Sequence, residues 1–317
     1  MLGGWRATGT AVRMNASVSH VYAVVVSYGS DPEQLAAQFE RLLPQVATIV
    51  WVDNASPVSL RQLQARWPAH RLHAIWLEGN LGIGAAQNRG IAWALEHGAS
   101  HVLLMDDDSL PAPDMVQRLL EALEAHPQAA AAGPRHFDPR RGLARTPFRR
   151  LQRGRLRTLE CSDAQQVWEV DDLIASGCLI PASVLRTVGP MREDLFIDWV
   201  DIEWCLRART LGYRVLGSCA ALLEHTLGDR VIRVWGKEIS LHAPWRHYYQ
   251  ARNLVLVLRS SPMGRGAKIH MALRQLKRFL VFSTLVPGRW AYFRMWVKGC
   301  VHGLQGRTGP LVLPARD

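Results

Sequence analysis

HVYAVVVSYG (20–29), ATIVWVDNAS (47–56) and SHVLLMDDDS (100–109) are apolar, β-branched runs that each stop at polar or acidic residues. Nearly continuous apolar runs of this length read as strands buried on both faces. Helical stretches separate them: 31–43, with Leu35, Phe39, Leu42 and Leu43 at helical spacing, then 58–67, then about 84–97 after a short strand at 72–77. Strands and helices alternating in right-handed units make a doubly wound, mainly parallel α/β sheet of Rossmann-like kind. Ligands of such sheets bind beyond the carboxyl ends of the strands. Tyr28, Asp53, Asn54, Asn80, Asp106, Asp107 and Asp108 all fall there.

After about residue 139 the pattern changes. Residues 139–160 are rich in Arg and Gly and read as a loop or ribbon. ASGCLIP suggests a strand, SVLRTVG a short helix, and FIDWVDIEWCLRARTLG (196–212) a loop entering a helix that ends at Gly212. YRVLGSCAALLEHT adds a last strand, and helices with basic and aromatic faces take over beyond about 240.

Apolar residues make up 48% of the chain and charged ones 21%, a globular mix that buries a core and excludes wholesale disorder. The longest apolar stretches, such as FLVFSTLV at 279–286, fall far short of the roughly 20 residues that cross a bilayer. Residues 1–20 hold Arg6 and Arg13 but no apolar segment leading to a small-residue cleavage site, so no secretory signal is expected. Cys161, Cys178, Cys205, Cys219 and Cys300 are odd in number and form no CxxC pair. That spacing argues against a zinc site or a disulfide framework and fits a reducing, cytoplasmic compartment.

The formal net charge of +11 is local. Residues 230–317 hold 16 Lys and Arg against 2 Asp and Glu, whereas 1–229 hold 22 against 25. Eight arginines and no acid lie between Arg140 and Arg157. Such an excess points to an anionic partner: nucleic acid, a phospholipid surface or a phosphate-bearing substrate.

Three adjacent carboxylates, Asp106, Asp107 and Asp108, repel one another, and a fold tolerates them most easily where a cation neutralises them. Hard oxygen ligands suit Mg²⁺ or Mn²⁺, ions that also use substrate phosphates as ligands. A solvated acidic turn is the plainer alternative. Asp198, Asp201 and Glu203 form a second acidic group around Trp199. Asp201 falls in the first turn of the expected helix, where the dipole stabilises a carboxylate. It reads either as a general base or as an ordinary N-terminal helix acid. His225 reads as an imidazole metal ligand or as a structural histidine. GNLGIGAAQNRG lacks the lysine of a Walker loop and does not match GxGxxG in register, so neither a Walker ATPase nor a dinucleotide dehydrogenase is supported.

VSYG, WVDNAS, GNLGIGAAQNRG, LLMDDDS, ASGCLIP and LFIDWVDIEWCLRARTLGYRV stand in the order found in family 2 glycosyltransferases of the GT-A fold. The chain resembles most the bacterial rhamnosyltransferases of the O-antigen and rhamnolipid types. HAPWRHYYQARN resembles the segment after their catalytic domain, so the likeness covers residues 20 to about 260. It implies a GT-A domain over 20–240, with a nucleotide-sugar half at about 20–135 and an acceptor half at about 160–240. A flexible extension (1–19) would precede it and a helical region (241–317) follow. The resemblance puts Asp53, with Ser27 and Tyr28, at the nucleotide base. Asn80 and Gly82 would line the nucleotide pocket, and Asn88 would support their loop. Asp108 would bind the metal directly, Asp106 would meet the ribose or a metal-bound water, and His225 would complete the metal site. Asp107, at the variable middle position, is an added charge among the nucleotide-sugar residues. Asp201 would be the base, with Asp198, Trp199 and Glu203 on the acceptor side. Arg252 would face the leaving diphosphate.

The activity this implies is inverting transfer of L-rhamnose from dTDP-L-rhamnose to a hydroxyl of a lipid-linked or glycolipid acceptor. UDP-galactofuranose and UDP-glucose are the alternative donors. A nucleic-acid-binding protein using Arg140–Arg157 and the basic tail is a reading of a different class. It leaves the carboxylates unexplained, and no nucleic-acid partner is expected. A catalytically dead sugar-nucleotide-binding module is disfavoured, since every expected acidic position is filled. In the C-terminal region Arg274, Lys277, Arg278, Arg289, Arg294 and Lys298 alternate with Leu276, Phe279, Leu280, Phe282, Trp290, Tyr292, Phe293 and Trp296. Helices of this kind lie in bilayer interfaces, held by apolar burial and anionic lipid. Peripheral attachment to the cytoplasmic face of the inner membrane is therefore expected, against the alternative that the aromatics pack on the catalytic domain.

Overall fold

The computed structural model describes residues 20–138, 146–152, 155–163, 165–225, 230–234 and 237–311. The expected N-terminal extension and Arg140, Arg141, Arg145 and Arg153 of the arginine-dense stretch lie outside the described residues.

The first half is the expected alternation: β1 (Val21–Ser27), α1 (Pro32–Leu42), β2 (Thr48–Asp53), α2 (Arg61–Gln64), β3 (Leu72–Trp76), α3 (Ile83–Glu96) and β4 (His101–Asp106). α1 begins where the Asp31 carboxylate accepts from the N–H groups of Glu33 (2.8 Å) and Gln34 (3.2 Å), with Pro32 in the first turn. The helix expected over 58–67 shrinks to the single turn α2 before Pro68. Next come β5 (Ser109–Pro111), α4 (Met115–Glu124), β6 (Ala129–Phe137), β7 (Phe148–Gln152), β8 (Arg155–Leu159), β9 (Val167–Val170) and β10 (Cys178–Pro181). α5 (Ala182–Val188), α6 (Val200–Thr210), β11 (Arg214–His225), β12 (Arg230–Val234), β13 (Lys237–Leu241), α7 (Pro244–Ser260), α8 (Arg265–Thr284) and α9 (Arg289–Leu304) complete the described chain.

Among the described residues, nine strands form one sheet in the order β3–β2–β1–β4–β10–β6–β11–β5, with β9 also on β11. β1 runs parallel to β2 and β4, with Ser27 opposite Asp53 and Val26 opposite Asp106. Alternate residues face opposite layers. Val24, Val26, Val50 and Val52 join the core that includes Ala86 of α3 and Trp204 of α6, while Val25, Ile49 and Trp51 join Phe39 of α1 and Leu119 of α4. Each such side chain, fully buried, contributes roughly 1.5–3 kcal/mol. β10 runs antiparallel between β4 and β6, a direction that apolar patterning does not encode. β6 (AAAAGPRHF) is not among the expected strands, because alanine is a poor strand former. Its small residues fit a crowded place: a Cβ on Gly133 would come within 2.5 Å of the Leu173 side chain. The hairpin β7–β8 occupies part of the expected ribbon, and β12–β13 forms a second hairpin outside the sheet.

The cysteine expectation fails. Cys161 and Cys219 are joined in a disulfide with Cα atoms 5.7 Å apart, 58 residues distant in sequence. β9 lies antiparallel on β11 and brings the two ends together, a proximity that linear spacing does not reveal. Cys178, Cys205 and Cys300 are free, and cysteine usage no longer argues for a reducing compartment.

α7 packs on α9 across Gly299 and Gly303. A Cβ at these positions would meet the carbonyl oxygens of Tyr248 at 2.3 Å and Arg252 at 2.8 Å, so only glycine permits this approach. Among the described residues no helix is long and apolar enough to cross a membrane.

Candidate active site

The carboxyl ends of β1, β2 and β4 lie side by side and present the first acidic groups. Asp53 is buried and accepts from Ser27 Oγ (3.1 Å), Ser56 Oγ (2.6 Å) and the Ser56 N–H (2.9 Å). Ser27 is fully enclosed and also accepts from Trp51 Nε1 at 2.8 Å, so it orients Asp53 instead of facing a ligand. The Tyr28 side chain is the open one at that strand end, 52% exposed. Asn54 donates to Asn80 Oδ1 (3.0 Å), which also accepts from the Gly82 N–H (3.0 Å).

Two residues of the glycine-rich segment also have structural tasks that its sequence does not suggest. A Cβ on Gly82, whose φ is +86°, would meet the Phe196 carbonyl oxygen at 2.4 Å. Gly82 thus makes room for the loop before α6. Asn88 exchanges hydrogen bonds with Met191 (2.8 and 2.9 Å) and donates to Glu193 Oε1 (2.8 Å), fixing the segment that leads into that loop.

Asp106 ends β4, and Asp107 and Asp108 turn the chain into β5. There Ser109 lies opposite His225 of β11. This register sets His225 Nδ1 3.1 Å from Asp108 Oδ1 and 2.6 Å from Ser109 Oγ. One ligand atom each from Asp106, Asp108 and His225 lie within 4.8 Å of one another. Two carboxylates and an imidazole at that separation fit a divalent cation such as Mg²⁺ or Mn²⁺. Burial pushes Asp106 up to about 6, with His225 opposing and the charges of Asp108 and Asp107 adding to the rise. Burial alone would lower His225, but its hydrogen bond to Asp108 and the charges of Asp108 and Asp106 outweigh it and raise it. Asp107 turns aside, accepting from the Tyr28 N–H (3.2 Å) and from Ser30 Oγ. The added charge therefore ties the exit of β1 to the acidic turn.

Sequence reasoning passed over two buried supports of this turn. Gln38 donates to the carbonyls of Asp106 and Ser109, and Ser176 Oγ accepts from the Asp106 N–H (3.2 Å) and lies 2.7 Å from Ser109 Oγ. Gln38 was visible in principle, as a polar side chain on the α1 face that carries Leu35 and Leu42.

Asp201 lies in the first turn of α6 and accepts from the N–H groups of Ile202 (2.8 Å) and Ala175 (3.2 Å). Burial pushes it up to about 7. The Ile202 hydrogen bond opposes that rise, and the charges of Asp172, Asp106 and Asp198 add to it. Carboxylates poised near neutrality suit proton abstraction. Glu203 does not share this face: residues two apart point to different sides of a helix. It pairs with Arg207 (3.0 Å), which also donates to the carbonyls of Val188 (2.7 Å) and Pro190 (2.8 Å). Glu203 thus holds α6 to the end of α5, away from its expected acceptor side.

The loop before α6 is strained. Phe196, Asp198 and Trp199 have φ of +65°, +61° and +70°, a region that costs non-glycine residues of order 1–3 kcal/mol each. α7 holds them there. Asn253 Nδ2 donates to the carbonyls of Leu195 (2.8 Å), Ile197 (2.8 Å) and Asp198 (3.0 Å). Trp199 Nε1 donates to the Gln250 carbonyl (3.1 Å), and Arg246 grips both Asp198 carboxylate oxygens (3.1 and 3.2 Å). Arg252 is fully buried and donates to the Leu195 carbonyl (2.8 Å), Asn253 Oδ1 (2.8 Å) and the Gly309 carbonyl. This placement does not fit its expected role at the leaving diphosphate: Arg252 is a strut between α7 and the loop, set by the phase of the helix.

The sequence profile described as Glycosyl transferase family 2 matches residues 22–188. The chain is 30% identical over 296 residues to dTDP-rhamnosyl transferase RfbF of Shigella flexneri, covering 92% of this chain and 97% of that protein. It is 25% identical over 295 residues to the Low-salt glycan biosynthesis hexosyltransferase Agl10 of Haloferax volcanii, covering 90% and 91%. S. aureus TarS 1-349 in complex with UDP-GlcNAc has the same fold, with a TM-score of 0.56 and 15% identity over 90% of this chain and 80% of that one. GalNAc-T7 with UDP, GalNAc and Mn²⁺ gives a TM-score of 0.60 at 11% identity over 92% of this chain, which spans 57% of that one. The fold is GT-A, as the motifs imply.

Proposed function

This chain belongs to glycosyl transferase family 2, and on that premise we propose that it moves L-rhamnose from dTDP-L-rhamnose to a hydroxyl of a lipid-linked or glycolipid acceptor, with inversion. The likeness to a dTDP-rhamnosyl transferase over 97% of that protein's length carries the choice of donor. Asp53, Tyr28 and Asn80 receive the nucleotide at the strand ends. Asp106, Asp108 and His225 would hold Mg²⁺ or Mn²⁺, which when bound neutralises charge on the diphosphate. Asp201 takes the proton of the acceptor hydroxyl as its oxygen bonds to the anomeric carbon. The bond from that carbon to the diphosphate breaks on the opposite face, so one displacement inverts the centre and releases dTDP. Given a panel of nucleotide sugars and a membrane lipid extract, the purified protein is expected to release dTDP from dTDP-L-rhamnose at least about tenfold faster than it consumes UDP-galactofuranose or UDP-glucose, the selectivity of a single well-made contact. Preference for either UDP sugar would overturn the donor assignment.

The C-terminal helices support work at the cytoplasmic surface of the inner membrane. Ile269, Leu273, Leu276 and Leu280 form an exposed stripe on α8, and Trp290, Phe293, Val297 and Val301 form another on α9. Stacking of Phe279 on Trp296 (4.1 Å) joins the two helices. Phe282 and Tyr292 point inward, so those aromatics pack as the alternative expected. Residues 265–304 contain no acid, and Arg265, Lys277, Arg294 and Lys298 accompany the stripes. Each basic residue near an anionic surface contributes about 1 kcal/mol. Sedimentation with vesicles should require anionic lipid, weaken with salt, and be lost on changing Leu273, Leu276 and Leu280 together to Gln. Equal binding to neutral vesicles would count against attachment of this kind.

A further inference from the structure

Among the described residues Arg278 has only a ring for a partner. It makes no ion pair or hydrogen bond among the described residues, and its guanidinium lies 5.6 Å from the centre of the Phe282 ring. That ring in turn packs on His247 at 4.4 Å, the neighbour of Arg246. Arg246 and Asp198 neutralise each other across 3.1 Å. Arg278 is therefore left as an excess cation within electrostatic reach of Asp198, Arg246 and Arg274. Desolvation and the like charges of Arg246 and Arg274 hold it below the usual arginine range, against the pull of Asp198. Arg274 stands one helical turn from Arg278, and its charge acts on Asp172, whose own charge acts on the base Asp201. At 100° per residue both arginines lie on the side of α8 opposite Leu276 and Leu280. On that side Arg278 is half-buried and Arg274 is exposed, away from the apolar stripe.

A desolvated cation beside two others is costly unless an anion completes the arrangement. Planar guanidinium forks match phosphate oxygens two at a time. We propose that Arg274 and Arg278 of α8, beside the ion pair that Arg246 of α7 makes with Asp198, form a binding site for the phosphate or diphosphate group of the lipid-linked acceptor, on the acceptor side of Asp201. The assignment of this anion to the acceptor rests on the reading given above. The existence of the site does not, and the probes below separate the two.

The test is direct binding to the full chain in EDTA, which removes any contribution from a cation at Asp108. Inorganic pyrophosphate is expected to raise the Tm of the wild-type protein. Arg278→Gln and Arg274→Gln should each weaken its binding at least about tenfold, the usual loss for a charged hydrogen-bonding partner, while Asp108→Ala should leave it intact. Without ligand, Arg278→Gln should melt at or above the wild-type temperature, because it relieves repulsion; an arginine that served only the fold would lower it. No binding by the wild type, or unchanged binding by both arginine variants, would overturn the site. Farnesyl diphosphate and dTDP then separate the sources. Loss of the first with the second unaffected supports the acceptor, and loss of dTDP affinity instead overturns the acceptor-side assignment.

Discussion

Asp201→Asn should bind dTDP-L-rhamnose as the wild type does and transfer rhamnose about 10²–10⁴-fold more slowly, the usual contribution of a positioned base. The substitution preserves size and removes the proton acceptor. Burial sets that acceptor at about 7, so wild-type transfer should rise with pH through that range, and the variant should lose this dependence. Stability should change in the opposite sense. A folded carboxyl that titrates at about 7, above its ordinary value of 3.8, makes the native state hold its proton more tightly than the unfolded chain. Native stability is lost as pH rises from about 4 through 7, and the variant escapes that loss. Asp201→Asn should therefore melt higher than wild type above pH 7, with the difference closing near pH 4. If Asp198→Asn instead abolished transfer together with its pH dependence while Asp201→Asn did not, the base would be Asp198.

Turnover should fall below detection in Asp108→Ala. Asp108 is hydrogen-bonded to His225 and stands within one ligand set with Asp106. Removing it leaves two donors where a small divalent cation needs more, and the diphosphate keeps its charge as a leaving group. EDTA should have the same effect on the wild type, reversed by Mg²⁺ or Mn²⁺ but not by either ion in the variant. Near-normal transfer in EDTA would remove the cation from the reaction altogether.

How much of this was legible in the sequence depends on what each feature requires. Asp53 and Asp106 are visible because a buried parallel strand must end somewhere, and the first polar residue after an apolar run marks that end. The approach of His225 to Asp108 is not, since it depends on a three-residue strand, Ser109–Pro111, pairing with the end of a distant one. Glu203 was separable from Asp201 by helical phase alone, yet an acidic motif read as a string groups them. Arg252 shows the limit from the other side. A basic residue in a recognisable motif suggests an anion, and only the fold reveals that its hydrogens go to two main-chain carbonyls and the Asn253 amide oxygen. β6 was hidden by alanine, and the disulfide by the length of chain between its cysteines.

The clamp that α7 places on residues 195–199 has a consequence for how such an enzyme diversifies. The left-handed residues ahead of Asp201 keep their shape through Asn253, Gln250 and Arg246, and α7 is seated on α9 through two glycines that tolerate no side chain. The C-terminal helices and the loop ahead of Asp201 are thus joined into one piece. A chimera that imports another tail in order to change its acceptor inherits a new setting of the catalytic loop as well. Lineages descending from such exchanges should carry paired changes in the two segments, with turnover number and acceptor choice shifting together.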